Sequence, residues 1–359
     1  MHGKQWKKLG VFAFLDTGAP SPHRKDYVTL VIVHGRGLKA GFPSSADFFA
    51  RLLPLAGKLG ARVVAINRRD YPGSAPFSEE DRALLLSTIP DTPAASENTD
   101  RFMKARAGEL YDFLTQLVKS EELPTNSIVL TGWSLGTSFV LSFFAHAPSF
   151  DSESWGLSQY IRRVIAYDPP SIAMGYPLPD GYYTPLNDPS IPPGEGVKIF
   201  PLWVTGYYAH GDTLETLSLR DALDEPSPTM LRMSPEDLTS AVHEPPTSLD
   251  GPDTVVLDSG LDRGAFTRLR EVALFAPQNA EIAWPNVEFR YVWCDRSVWV
   301  MPWGAWLFSA EIEQARKDGK LIRKHSVVRM RGANHCAHWD EPERLLRLLL
   351  SDAPSDIGA

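Results

Sequence analysis

A mostly parallel α/β sheet, covered by helices and interrupted by one long insertion, is the fold class this sequence predicts. Three observations carry that prediction. β-Branched runs recur with helical stretches between them, one of the runs is apolar almost throughout, and the alternation stops between residues 171 and 285.

The N-terminal run Leu9-Gly-Val-Phe-Ala-Phe-Leu15 reads as a first strand, being short for a signal peptide and interrupted by Gly10. Tyr27-Val-Thr-Leu-Val-Ile-Val33 has the continuous apolar pattern of a strand buried on both faces, and it stops at His34-Gly35-Arg36-Gly37. A helical stretch from Ser45 to Leu59 leads to the strand Arg62–Asn67. The segment Ala75–Asp100, broken by Pro76, Pro90 and Pro93, reads as a surface excursion. Arg101–Ser120 carries Phe102, Ala105, Leu110, Phe113 and Leu117 near helical spacing, and the strand Ser127–Thr131 follows. Beyond Thr137 a helix runs to about His146, then come the strand Arg162–Tyr167 and the stop Asp168-Pro169-Pro170. At the far end the strands Val287–Trp293 and Ser326–Met330 precede a terminal helix, Glu341–Leu350. The stretch 171–285, rich in Pro, Gly, Tyr and Trp with helical pieces at Pro235–Val242 and Asp262–Leu274, is too long for a loop. It is expected to form a cap over one end of the sheet, with residues 1–170 and 286–359 as the core.

With 43% hydrophobic and 11% aromatic residues in 359, the chain can bury a full core, which excludes disorder as its main state. A formal net charge of −8 opposes phosphate neutralisation, so neither nucleic acid nor an anionic membrane is expected as a partner. Nowhere do eighteen apolar residues run together. Cys294 and Cys336 are too few for a disulfide framework, and a reducing, cytoplasmic setting fits them best. Oligomeric state leaves no trace in the sequence.

Chemistry enters with Gly132-Trp133-Ser134-Leu135-Gly136. The string directly follows a buried strand and directly precedes a helix, where a sharp turn exposes a serine hydroxyl above the sheet and the helix N-terminus favours developing negative charge. A serine needs a base to take its proton. His335, in Gly332-Ala-Asn-His-Cys-Ala-His338, follows the last strand and so falls at the same sheet edge. His338 reads as a packing residue. The bunched His335, Cys336 and His338 make a poor metal set, and no metal or cofactor is expected.

This arrangement resembles the α/β-hydrolase superfamily from about Tyr27 to Leu350, excluding most of 171–285. His34-Gly35 resembles its oxyanion loop, Asn67-Arg-Arg-Asp-Tyr-Pro-Gly-Ser74 a second loop, Gly132–Gly136 its nucleophile elbow and Gly332–His335 its histidine loop. The resemblance implies an α/β-hydrolase fold, Ser134 as nucleophile, His335 as base, and an oxyanion hole from the backbone N–H groups of Leu135 and Arg36 beside Gly35. Many members place the acid after the strand that follows the cap, where this chain has Ser297. Two candidates remain: Asp168, favoured because other members carry their acid at that strand end, and Asp295 as the alternative.

Members that open epoxides or remove halides use aspartate at the elbow, so the resemblance disfavours those reactions here. It points to cleavage of a carboxylic ester, lactone or thioester through an acyl-Ser134 intermediate. Trp133 and the cap aromatics (Tyr176, Tyr182, Tyr183, Phe200, Trp203, Tyr207 and Tyr208) suit a medium-sized apolar or aromatic small molecule, although a small core of the cap's own explains most of these cap rings. Acyl transfer to an acceptor other than water, lyase or cyclase chemistry, and an idle small-molecule receptor on the same scaffold are the alternatives.

Overall fold

The computed structural model describes residues 6–21, 26–37, 45–152, 155–243, 245–248, 251–276 and 281–353. Eight strands form one sheet in the order β1-β2-β4-β3-β5-β6-β7-β8. They are β1 (Trp6–Leu9), β2 (Phe12–Asp16), β3 (Val28–Val33), β4 (Ala61–Asn67), β5 (Ile128–Trp133), β6 (Ile161–Tyr167), β7 (Glu288–Cys294) and β8 (His325–Met330). From β3 to β8 every neighbouring pair is parallel, and only the hairpin at the β1–β2 edge runs antiparallel. The single N-terminal strand expected from sequence is this hairpin, because Gly10 turns the chain at a φ of 56° that an L-residue resists.

β3 is the interior strand its pattern implies. Leu30, Val31, Ile32 and Val33 are at most 1% exposed, each burial contributing about 1.5–3 kcal/mol. Two apolar clusters fill the two faces. On one, the helix Gly136–His146 packs between Pro93–Glu121 and Ala265–Leu274, joined by Phe308 and Ile312 of the helix Val300–Lys317. On the other lie the short helical turns Ala46–Leu59 and the terminal helix Pro342–Leu350.

Three elements differ from the sequence reading. The region 75–100 is not simply an excursion: Ser78 caps a helix Glu79–Leu86, and Pro93 opens the long helix Pro93–Glu121 at its first turn, where its missing N–H costs nothing. The helix Val300–Lys317 has no counterpart in that reading. The stretch 171–285 is not all cap, because Phe266, Leu269 and Leu274 of Ala265–Leu274 are buried in the core against the sheet's own helices. Among the described residues no helix is long and apolar enough to cross a membrane.

Candidate active site

β3, β5, β6 and β8 all end at one edge of the sheet, and the loops beyond their carboxyl ends bring four separated segments together. Ser134 follows β5 with φ 54°, a left-handed conformation that costs a non-glycine residue on the order of 1–3 kcal/mol. Its surroundings hold the turn. A side chain at Gly132 would meet the Gly136 carbonyl oxygen at 2.5 Å, one at Gly136 would strike the Val33 carbonyl, and the Ser134 N–H donates to the Tyr167 carbonyl at 3.1 Å. Gly35 lies so close to Ser134 that a Cβ there would come within 2.7 Å of the serine Cβ.

His335 lies five residues beyond β8 and is 1% exposed. Its Nδ1 is 2.7 Å from Oδ2 of the fully buried Asp168, which follows β6 with φ 46°. Asp168 Oδ1 accepts the Cys294 N–H at 2.8 Å, and Oδ2 also accepts the Ser297 hydroxyl at 2.6 Å. Three donors therefore hold the carboxylate in one orientation. The structure thus brings Asp168, rather than Asp295, to His335. Asp295 pairs with Arg329 Nε at 3.0 Å and accepts the Gly332 N–H at 2.6 Å. Ser297, at the position where the resemblance expects an acid, donates to the carboxylate instead of replacing it.

The backbone N–H groups of Arg36 and Leu135 donate to no protein acceptor among the described residues. The loop carrying Arg36 is braced from behind. The Arg68 guanidinium donates to the carbonyls of His34 (3.1 Å) and Gly35 (2.8 Å), and grips Asp253 with two bonds of 2.6 Å. His34 donates from Nδ1 to the Gly35 carbonyl and accepts the Arg68 N–H at Nε2, so it is neutral; burial first, and Arg68 second, hold its pKa well below the ordinary histidine value.

Trp133 is a correction. It was expected to face the substrate, yet it is fully buried beneath the site, donating its indole N–H to the His335 carbonyl at 3.0 Å and stacking on the imidazole at 4.7 Å. A residue next to the elbow on β5 points away from the serine because successive strand side chains alternate. His338 is wedged between Phe48, Phe49 and Trp133, and burial pushes its pKa well down.

Above Ser134 and His335 opens a cleft of about 390 Å³. Of the cap aromatics only Tyr182, Phe200 and Trp203 line it. The others make contacts elsewhere: Tyr207 donates to Asp340, Tyr208 to the Trp203 carbonyl and Tyr176 to Glu311, while Tyr183 packs on Trp203. Val298, Trp299, Val300 and Met301 complete the apolar wall from the core side and were missed from sequence with the helix they open. Asn334 was also missed: it ties the loop carrying His335 to residues 205 and 229 through Nδ2 bonds to the Thr205 carbonyl (2.7 Å) and Thr229 Oγ1 (2.8 Å). Cys294 and Cys336 are free and buried, and among the described residues no cluster of His, Cys, Asp and Glu could hold a metal ion.

Comparison with curated proteins finds no significant match. Among solved structures the chain is similar to an epoxide hydrolase from Vigna radiata (13% identity, 97% of each chain, TM-score 0.51) and epoxide hydrolase A from Mycobacterium thermoresistibile (13%, 97% of each, 0.51). It is similar also to a bromoperoxidase from Bacillus anthracis (16%, 95% of each, 0.48). At 13% identity the likeness to the two epoxide hydrolases is one of fold. The profile of the alpha/beta hydrolase family matches residues 30–348, nearly the whole length, and this chain belongs to that family.

Proposed function

We propose that the protein is a serine hydrolase that cleaves a carboxylic ester, lactone or thioester of a medium-sized, largely apolar small molecule through an acyl-Ser134 intermediate. One observation carries the reading: a strained serine and a histidine hydrogen-bonded to a buried, three-donor carboxylate open onto the same apolar cleft.

In this mechanism Ser134 Oγ attacks the acyl carbon while His335 Nε2 takes its proton. Asp168 holds the Nδ1 proton and so presents the lone pair of Nε2 to the serine. Among the described residues no hydrogen bond yet joins Ser134 Oγ to His335, a looseness that substrate binding commonly removes. The free N–H groups of Leu135 and Arg36 receive the oxyanion; donors of this kind lower the barrier by about 3–4 kcal/mol. His335 then protonates the leaving group, and water attacks the acyl-enzyme by the reverse relay. A serine at the elbow, where the resemblance puts aspartate in epoxide-opening members, supports acyl chemistry over epoxide hydrolysis.

The test is labelling and turnover together. Wild-type protein is expected to take up one fluorophosphonate, seen by intact mass, and to hydrolyse short p-nitrophenyl esters. Ser134→Ala is expected to do neither. An adduct that persists in Ser134→Ala overturns the assignment of the nucleophile.

A further inference from the structure

One residue lining the cleft carries a cationic side chain that the hydrolytic mechanism does not use. Arg36 lines it together with Ser134 and His335. Its side chain makes one hydrogen bond among the described residues, Nη2 to Thr254 Oγ1 at 2.8 Å. The Thr254 hydroxyl itself donates to the Ser248 carbonyl at 2.7 Å, so it orients the guanidinium without neutralising it. Nε is buried and has no partner among the described residues.

The nearby acids do not complete the pair. Asp253 is fully engaged by both arms of Arg68 and by the Tyr71 hydroxyl at 2.7 Å. Asp258 lines the same cleft but is exposed, and it forms no ion pair with Arg36. Buried arginines of the chain spend their donors on fixed protein acceptors: Arg62, Arg68, Arg163 and Arg290 each meet a carboxylate at 2.6–3.1 Å, and Arg323 donates to the Ala273, Ala283 and Trp284 carbonyls, whereas the half-buried Arg36 has only the Thr254 hydroxyl among the described residues. Burial draws the Arg36 pKa below the ordinary arginine value despite the attraction of Asp253 and Asp258. A guanidinium largely withdrawn from water beside an apolar cleft is costly until an anion pairs with it, and its planar fork suits a carboxylate.

We propose that the substrate carries a free carboxylate on its apolar body, received by the Arg36 guanidinium while the scissile carbonyl lies at Ser134. This rests on the serine-hydrolase reading and names its substrate class. The same residue offers its backbone N–H to the oxyanion and its side chain to the carboxylate, so the two groups must lie within a few bonds of each other. The half ester of a short dicarboxylic acid is the simplest such molecule.

The kinetic arm compares mono-p-nitrophenyl glutarate with p-nitrophenyl pentanoate, its uncharged counterpart. Wild type is expected to prefer the half ester in kcat/KM. Arg36→Gln is expected to lower the ratio of the two kcat/KM values by about tenfold to a hundredfold, and Arg36→Lys by less. Using the ratio cancels any damage to the oxyanion loop, since both esters undergo the same chemistry. A wild type that prefers pentanoate, or a ratio unchanged in Arg36→Gln, overturns the proposal. The binding arm titrates Ser134→Ala calorimetrically with monoethyl glutarate and ethyl pentanoate, with and without Arg36→Gln. Half-ester binding that depends on Arg36 supports the carboxylate site even if neither nitrophenyl ester turns over, the outcome in which the hydrolase reading alone fails. Equal binding of both ligands overturns the site whatever the turnover.

Discussion

Asp168→Asn isolates the relation on which the proposed chemistry depends, because hydrogen bonding dictates how the new amide must lie. Oδ1 accepts from the Cys294 backbone N–H, a donor that cannot reverse its role. The asparagine oxygen must take that position, leaving its NH₂ where Oδ2 now accepts from Ser297 and His335. The NH₂ then donates to His335 Nδ1, which moves the imidazole proton to Nε2, so the nitrogen facing Ser134 can no longer accept. Flipping the amide would set its NH₂ against the Cys294 N–H inside a fully buried site, at a cost of about 1–3 kcal/mol. The expected loss in kcat is therefore about three to four orders of magnitude, about 4–5.5 kcal/mol of barrier, with the fold retained. Asp295→Asn, which disturbs only Arg329 and Gly332, is expected to stay within about tenfold of wild type. Steady-state hydrolysis of p-nitrophenyl acetate, with circular dichroism as the folding control, reads both. An Asp168→Asn protein that keeps a tenth or more of wild-type kcat, or an Asp295→Asn protein that loses more than it does, refutes the reasoning.

His335→Ala is expected to lose several orders of magnitude in kcat, whereas His338→Ala, which empties a site among Phe48, Phe49 and Trp133, is expected to lower Tm and leave most of kcat; equal kinetic losses would break the distinction. Stability should also fall with acid. His34 and His338 have folded pKa values well below the ordinary 6.5, so below about pH 6.5 the unfolded chain binds protons that the folded one refuses; each histidine removes up to about 1.4 kcal/mol per pH unit until its own lowered value is reached. Denaturant titrations from pH 7.5 to 5 should show this decline, and a slope unchanged in His338→Phe would count against it. Arg68→Met leaves Asp253 buried without its cation and is expected to cost about 3–5 kcal/mol in the same titrations, because two short bonds tie Arg68 to Asp253 and a third ties it to the Gly35 carbonyl. Gly136→Ala is expected to fold poorly or not at all, since its Cβ would run into backbone at Val33 and His34; a wild-type Tm would refute that account of the elbow.

The sheet and the elbow were legible because their signals are local. A buried parallel strand needs an unbroken β-branched run such as Val28–Val33, and a strand-to-helix turn crowded against neighbouring backbone needs glycines at 132 and 136, so both requirements appear in consecutive residues. The helix Val300–Lys317 was not legible: Pro302 and Gly304 sit in its first turns, and its apolar positions face both the core and the cleft, which blurs the helical period. The choice between Asp168 and Asp295 lay beyond local pattern as well, since both follow strands at the same edge. It was decided by backbone geometry, the left-handed turn at Asp168 and the reach of Ser297 and Cys294 from the neighbouring strand end.

The sequence by itself determined the α/β class, the serine at the elbow and the histidine after the last strand, because each follows from residues adjacent in the chain. Only the tertiary structure decided which acid meets that histidine, 167 residues away, and that Trp133 supports the site from beneath. It alone decided too that Arg68 is tied to Asp253 across 185 residues while Arg36, reaching Thr254 across 218, meets no carboxylate among the described residues. Pairing of buried charge depends on which side chains share a dry volume, and chain separation carries no record of that until the chain has folded.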